Sequence, residues 1–125
     1  PDLVASSANN SDLLLTISND SWFGASIGPL QHLQMAQMRA LENGRYMLRG
    51  TNNGVSAIID HRGQIQARTE QFAETTLFGK AWVMLGRTPF GSFGSLPVIA
   101  GCAIALILML AMYAAFWREP DRKAT

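Results

Sequence analysis

The sequence predicts a layered α/β fold followed by one membrane-spanning helix. Three observations carry that expectation. The run Asp12-Leu13-Leu14-Leu15-Thr16-Ile17 is almost continuously apolar and stops at turn formers, the pattern of a strand buried on both faces. From Gly28 to Asn43, apolar and polar residues alternate with a helical period. Leu96 to Trp117 contains no charge and is about 33 Å long as a helix, enough to cross a hydrocarbon core of ~30 Å.

The first strand leads into Ser18-Asn19-Asp20-Ser21, a cluster of turn residues. Gly28-Pro29 then opens the helix, with Pro29 suited to its first turn, and Gly44 closes it. On a helical wheel Leu30, Leu33, Ala36, Ala40 and Leu41 share the arc that faces a sheet, with His32, Arg39, Glu42 and Asn43 opposite. Three more strands are expected: Arg45 to Thr51, Val55 to Asp60 and Gln64 to Arg68. Asn52-Asn53-Gly54 forms a tight turn between the first two, and His61-Arg62-Gly63 a hairpin turn between the last two. Thr75 to Val83 is a further candidate strand. Residues 1–84 thus read as an α/β region, the Gly- and Ser-rich residues 85–95 as a linker, 96–117 as the membrane span and 118–125 as a tail.

Tyr113, Phe116 and Trp117 suit a headgroup layer, and Arg118, Arg122 and Lys123 follow directly. By the positive-inside rule the tail is cytoplasmic, and the residues before the span lie on the other side, which in a bacterium is the periplasm or exterior. A strand buried on both faces needs neighbours, and the remaining strands are too few to close a two-layer core. The chain is therefore expected to be the C-terminal part of something longer, and not to fold by itself.

Composition removes several function classes. The 125 residues are 48% hydrophobic and 15% charged with a formal charge of +1, which gives no field for nucleic acid. A single cysteine makes no internal disulfide, and no Cys/His cluster has metal-ligand spacing, so neither a metal nor another cofactor is expected. Cys102 sits inside the apolar helix as a packing residue, not a nucleophile.

Ligands in open α/β sheets bind outside the carboxyl ends of strands. That places Asn19 and Asp20 where they would orient a substrate or catalytic group, with Trp22 and Phe23 as an apolar wall and Gly24 as a flexible point. The competing reading has Asn19 and Asp20 closing a turn through side-chain to backbone bonds, and Trp22 packed in the core. Arg39 and Glu42, three residues apart on the helix, read as an ordinary surface ion pair. His32 and His61 have no partners at catalytic spacing and are expected to face solvent, and no His is placed to activate Ser21.

The block Ser18-Asn19-Asp20-Ser21-Trp22-Phe23-Gly24, then Ser26-Ile27-Gly28-Pro29-Leu30-Gln31-His32 and Met38-Arg39-Ala40-Leu41-Glu42, resembles the apolipoprotein N-acyltransferase family, a membrane branch of the nitrilase superfamily. The resemblance continues through Arg49, Thr51-Asn52-Asn53-Gly54, Ile58-Ile59-Asp60, Gly63-Gln64-Ile65 and Arg87-Thr88-Pro89 to the last helix, covering residues 1 to about 118. It implies part of a nitrilase-type (carbon-nitrogen hydrolase) α-β-β-α sandwich, periplasmic and anchored in the bacterial inner membrane. The implied enzyme moves a fatty acyl chain from a phospholipid, through a Cys thioester, to the amine of the diacylglyceryl-cysteine that begins an apolipoprotein. A Glu moves the proton and a Lys stabilises the oxyanion. Its partners are then the phospholipid donor, the apolipoprotein acceptor and membrane lipid.

The family's Cys-Tyr-Glu motif, Glu and Lys are all expected upstream of Pro1; neither Cys102 nor Lys80 matches them, so this chain alone is expected to be inactive. Under the resemblance Trp22 and Phe23 match residues near the pocket mouth. Asn19, Asp20, Asn52 and Asn53 stay open between shaping the active-site rim and closing turns, and Arg39–Glu42 becomes an internal pair that fixes the helix on the sheet. Two other functions remain: a membrane-tethered nitrilase-type amidase with water as acceptor, and a non-enzymatic anchored module that binds an envelope partner.

Overall fold

The computed structural model describes residues 1–118 and divides at Gly94 into two units. The first runs α1 (Asp2–Ala8), β1 (Leu14–Ser18), a short 3-10 turn (Ser21–Phe23), α2 (Gly28–Asn43), β2 (Met47–Thr51), β3 (Ala57–Ile59), β4 (Ile65–Arg68) and α3 (Pro89–Phe93). Strand order follows the chain, β1-β2-β3-β4. β1 and β2 are parallel with α2 between them, and the next two pairings are antiparallel. This is the mixed α/β fold expected, in a four-stranded sheet.

Register and alternation decide what each face carries. Leu14 pairs with Met47, and Met47 with Ile59, so these side chains share one face. On that face α2 lays its stripe of Leu33, Ala36 and Ala40, and together with Ala8, Val55 and Ala57 these residues make the core. The buried stripe of the helix is Pro29, Leu33, Ala36, Ala40 and Asn43. Leu30 and Leu41, expected on it, lie half out, while Asn43, expected on the polar side, is buried. Asn43 is accommodated because its amide donates back to the Arg39 carbonyl at 2.7 Å. Gly44 ends the helix at φ +59, and its N–H reaches the Ala40 and Leu41 carbonyls.

The expectation that the first strand is buried on both faces is corrected. Leu14 is buried, but Leu15 and Ile17 are 67% and 80% exposed. β1 is the edge of the sheet, and these two side chains stand on the face opposite α2. The hairpin forms as expected: Asp60 Oδ1 accepts from the N–H groups of Arg62 and Gln64 at 2.9 and 2.8 Å, and Gly63 takes φ +76.

Residues 75–83 form no strand, against expectation. Gly79 lies across a face of the sheet, so close that a Cβ there would be 2.5 Å from Ile58 Cδ1, and the segment pairs with no strand edge. Two helices went unanticipated, α1 and α3. Within residues 85–95, α3 is capped by Thr88, whose hydroxyl accepts from Gly91 N–H at 2.9 Å and donates to the Glu42 carbonyl at the end of α2. Asn9 and Arg45 add further ties, Asn9 to the Gly91 carbonyl at 3.0 Å and Arg45 to those of Ser11 and Gly86 at 2.8 Å each.

The second unit holds α4 (Leu96–Arg118). Its residues Leu96–Trp117 are long and apolar enough to cross a membrane, and none of that span is buried, unlike the core helix of a soluble domain. The basic tail residues Arg122 and Lys123 lie outside the described residues.

Candidate functional site at the carboxyl ends of β1 and β2

Parallel pairing brings the carboxyl ends of β1 and β2 side by side, with Ser18 opposite Thr51 and Thr16 opposite Arg49. Alternation puts Ser18, Arg49 and Thr51 on the face that α2 covers, beyond the apolar Leu14 and Met47. A buried Arg there requires a counter-charge, and Asp20 supplies it from the loop after β1. Arg49 Nη2 lies 2.7 Å from Asp20 Oδ2, with the two side chains 4% and 0% exposed. Thr51 Oγ1 donates to the same oxygen at 3.2 Å. The other oxygen, Oδ1, accepts from Ser18 Oγ at 3.1 Å and contacts His32 Nδ1 at 3.1 Å.

Burial by itself would raise the Asp20 carboxyl, but the His32 bond, the Arg49 charge and the two hydroxyl donors outweigh it and hold the carboxyl below its ordinary range. His32 thus has a partner after all, and is not simply turned to solvent: α2 starts close enough to the loop for a residue in its second turn to reach down to Asp20. Phe23 meets the His32 ring edge to face, with centroids 4.9 Å apart and planes at 80°.

A second layer of bonds ties the β1 loop to the β2 turn. Asn19 Oδ1 accepts from Ser21 N–H at 3.1 Å, from the Ser21 hydroxyl and from Asn52 Nδ2 at 2.8 Å. Asn52 Oδ1 accepts from the N–H groups of Asp20 at 3.1 Å and Asn53 at 2.9 Å. The turn packs so tightly that a Cβ on Gly54 would lie 2.2 Å from Asp20 Oδ2. Asn19 and Asn52 therefore knit the two loops together, and Asp20 reaches well past a local turn.

Trp22 is not packed in the core: it stands 77% exposed at the tip of the 3-10 turn. Gly24 follows at φ +52 and its carbonyl accepts from Gln71 Nε2 at 3.2 Å. Arg39 and Glu42 are apart from this cluster, further along α2, as a partly buried pair with Nη1 2.8 Å from Oε2. His61 lies against Tyr46, with ring centroids 5.9 Å apart.

Beside the cluster is a cavity of about 640 Å³, walled mainly by apolar residues such as Val4, Leu14, Met35 and Met47, with His32 and Arg49 on its polar side. Sequence reasoning missed Ser18, His32, Arg49 and Thr51. A signal for two of them was available: Met47, Arg49 and Thr51 alternate along one strand, so Arg49 must share the face of Met47 and needs a buried partner.

Residues 2–81 match the carbon-nitrogen hydrolase family. The chain is 57% identical over 107 residues to the apolipoprotein N-acyltransferase of Azotobacter vinelandii, covering 86% of this chain and 20% of that protein. It is 56% identical over 106 residues to the protein of that name from Pseudomonas putida, covering 85% and 21%. With that from Pasteurella multocida it shares 52% identity over 100 residues, covering 80% and 19%. The chain spans about a fifth of the length of these curated relatives. Because the family match at 2–81 takes in more than half of the chain and all four strands, this protein belongs to the carbon-nitrogen hydrolase family.

Proposed function

We propose that this chain is part of a membrane acyltransferase that moves a fatty acyl chain from a phospholipid, through a Cys thioester, to the N-terminal amine of diacylglyceryl-cysteine in apolipoproteins. The observation that carries this reading is the extent of the match to proteins named apolipoprotein N-acyltransferase. At 107 residues and 57% identity it runs beyond the hydrolase-like region.

The chain supplies one side of the catalytic domain, the rim built from Asn19, Asp20, Asn52 and Asn53, the exposed Trp22 with Phe23 and Gly24, and the anchor α4. The Cys nucleophile, Glu and Lys come from the region of the protein that precedes this one. The single Cys102 lies in the apolar span, where a thiolate is disfavoured, so the 125-residue chain alone has no nucleophile and is inactive. The domain faces the periplasm of a bacterial inner membrane and the basic end after Trp117 faces the cytoplasm.

The test uses the full-length protein in detergent with an acyl-labelled phospholipid and a diacylglyceryl-cysteine peptide. Mass spectrometry is expected to find a hydroxylamine-sensitive acyl adduct on the protein, and then the acyl group on the peptide amine. Hydrolysis of small amides with no acyl transfer from phospholipid would reject the proposal in favour of an amidase.

A further inference from the structure

The Trp22 ring stands clear of the fold, but the loop that carries it is held at both ends. At its entry, Asn19 and Asn52 tie it to the turn after β2. In the middle, Phe23 lies edge to face on His32 and fits so closely against α2 that a Cβ on Gly28 would be 2.5 Å from Phe23 Cδ1. At its exit, the Gly24 N–H closes the 3-10 turn on the Ser21 carbonyl, and the Gly24 carbonyl accepts from Gln71 Nε2 at 3.2 Å, across 47 residues of chain. Gly24 has φ +52 and ψ −138, a conformation open to glycine and strained for other residues, so the exit is where the loop has most freedom to turn.

Gln71 is itself anchored. Two residues before it, Thr69 N–H donates to the Ser56 carbonyl at 2.9 Å and Thr69 Oγ1 accepts from Ser56 N–H at 3.1 Å. The Ser56 hydroxyl accepts from Thr51 N–H at 3.2 Å, and Thr51 Oγ1 donates to Asp20. Directly after Gln71, Phe72 is at φ +63, the left-handed region that a bulky residue adopts only where the chain is constrained on both sides. The Thr69 bonds constrain it on one side and Gly79, packed over Ile58, on the other. The Phe72 ring is 57% exposed and gains little burial in return; the strained turn leaves Gln71 directed at Gly24.

An exposed aromatic ring on a loop fixed at both ends is presented at low entropic cost, the property of an anchor for apolar ligands. We propose that Gln71 is a positioning residue: by holding Gly24 it keeps the Trp22 ring presented to the acyl chains of the phospholipid donor. The assignment rests on the acyltransferase reading above. Gln71 does not touch substrate and acts only through the loop. Its loss therefore weakens capture of the lipid and leaves the bond-making steps unchanged.

The experiment measures thioester formation from acyl-labelled phospholipid by the full-length protein in detergent, with Gln71→Ala, Trp22→Ala and the double variant beside the unmodified protein. For Gln71→Ala the KM for phospholipid is expected to rise about 3- to 10-fold, the size of one lost hydrogen bond, with kcat within about twofold. In the Trp22→Ala background the same change is expected to add nothing, because there is no ring left to position. A readout independent of activity comes from fluorine NMR of fluorotryptophan-labelled protein, in which the Trp22 resonance is the one that Trp22→Phe removes. Gln71→Ala is expected to change the position or width of that resonance. An unchanged KM, an equal rise in KM with Trp22 absent, or an unmoved Trp22 resonance overturns the proposal while the acyltransferase reading stands. If the unmodified protein forms no thioester from phospholipid, it is the acyltransferase reading that falls, and the role of Gln71 falls with it.

Discussion

Arg49 and Asp20, 29 residues apart in sequence, meet at 2.7 Å with both side chains closed to solvent. The pair joins the middle of β2 to the loop after β1, so it forms only when the parallel pairing of those strands is in register. Asp20→Ala would leave the guanidinium buried without a counter-charge, a change that costs about 3–5 kcal/mol. Asp20→Asn keeps one acceptor oxygen and is expected to cost less. Thermal unfolding of the detergent-solubilised protein compares the two; equal stability for Asp20→Ala and the unmodified protein would show that the pair contributes nothing.

Stability is expected to fall on acidification. Asp20 is held low by His32, Arg49, Ser18 and Thr51 against its burial. Asp60 is likewise held low, against its burial, by the N–H groups of Gln64 and Arg62, the Gln66 amide and the His61 charge. In both cases the unfolded carboxyl takes up a proton at a higher pH than the folded one. Their contribution is thus present above about pH 4 and disappears as pH falls through the folded-state values. Unfolding curves from pH 6 to about pH 2 check this, and Asp60→Asn should flatten the dependence. A stability that rises below about pH 4 would contradict it.

Gly54→Ala is expected to be out of proportion to its single methyl. The new Cβ would sit 2.2 Å from Asp20 Oδ2 and 2.9 Å from Thr51 Oγ1, and that carboxylate, held by several donors, cannot swing aside freely. A loss of about 1–3 kcal/mol is expected, of the size found for overpacking. Combining it with Asp20→Ala, which removes the clashing oxygen, should give less than the sum of the two losses.

Trp22→Ala should separate stability from function. With the ring 77% exposed, its removal is expected to change stability by no more than about 0.5 kcal/mol. If the ring contacts lipid at the pocket mouth, phospholipid binding and acyl transfer by the full-length protein fall together. Unchanged binding in a liposome co-sedimentation assay, with unchanged transfer, would end the lipid-facing assignment.

Much of the fold is readable from local chemistry. Helix α2 begins at Gly28-Pro29 and stops at Gly44 because proline is favoured in a first helical turn and glycine accepts the left-handed cap, and both effects act within a few residues. The β3–β4 hairpin and the apolar α4 are local in the same sense: a turn sequence fixes one, and an unbroken run without charge fixes the other. The block from Ser18 to Gly24 and the helix after it were also sufficient to suggest the family.

Tertiary structure alone decided the rest. No local rule tells Asp20 that Arg49, Thr51 and His32 will surround it, because those contacts cross 12 to 31 residues and exist only once β1 and β2 pair beneath α2. The same holds for Trp22, whose apolar ring suggested a core position: the 3-10 turn, fastened by Asn19 and Asn52, turns it outward. Residues 75–83 have the composition of a strand, but a strand needs an edge to bond to, and here Gly79 lies over Ile58 on a sheet face. Periodicity and turn chemistry act over a few residues and were legible; the partners of a buried charge are set by which strands pair, and that is a property of the whole fold.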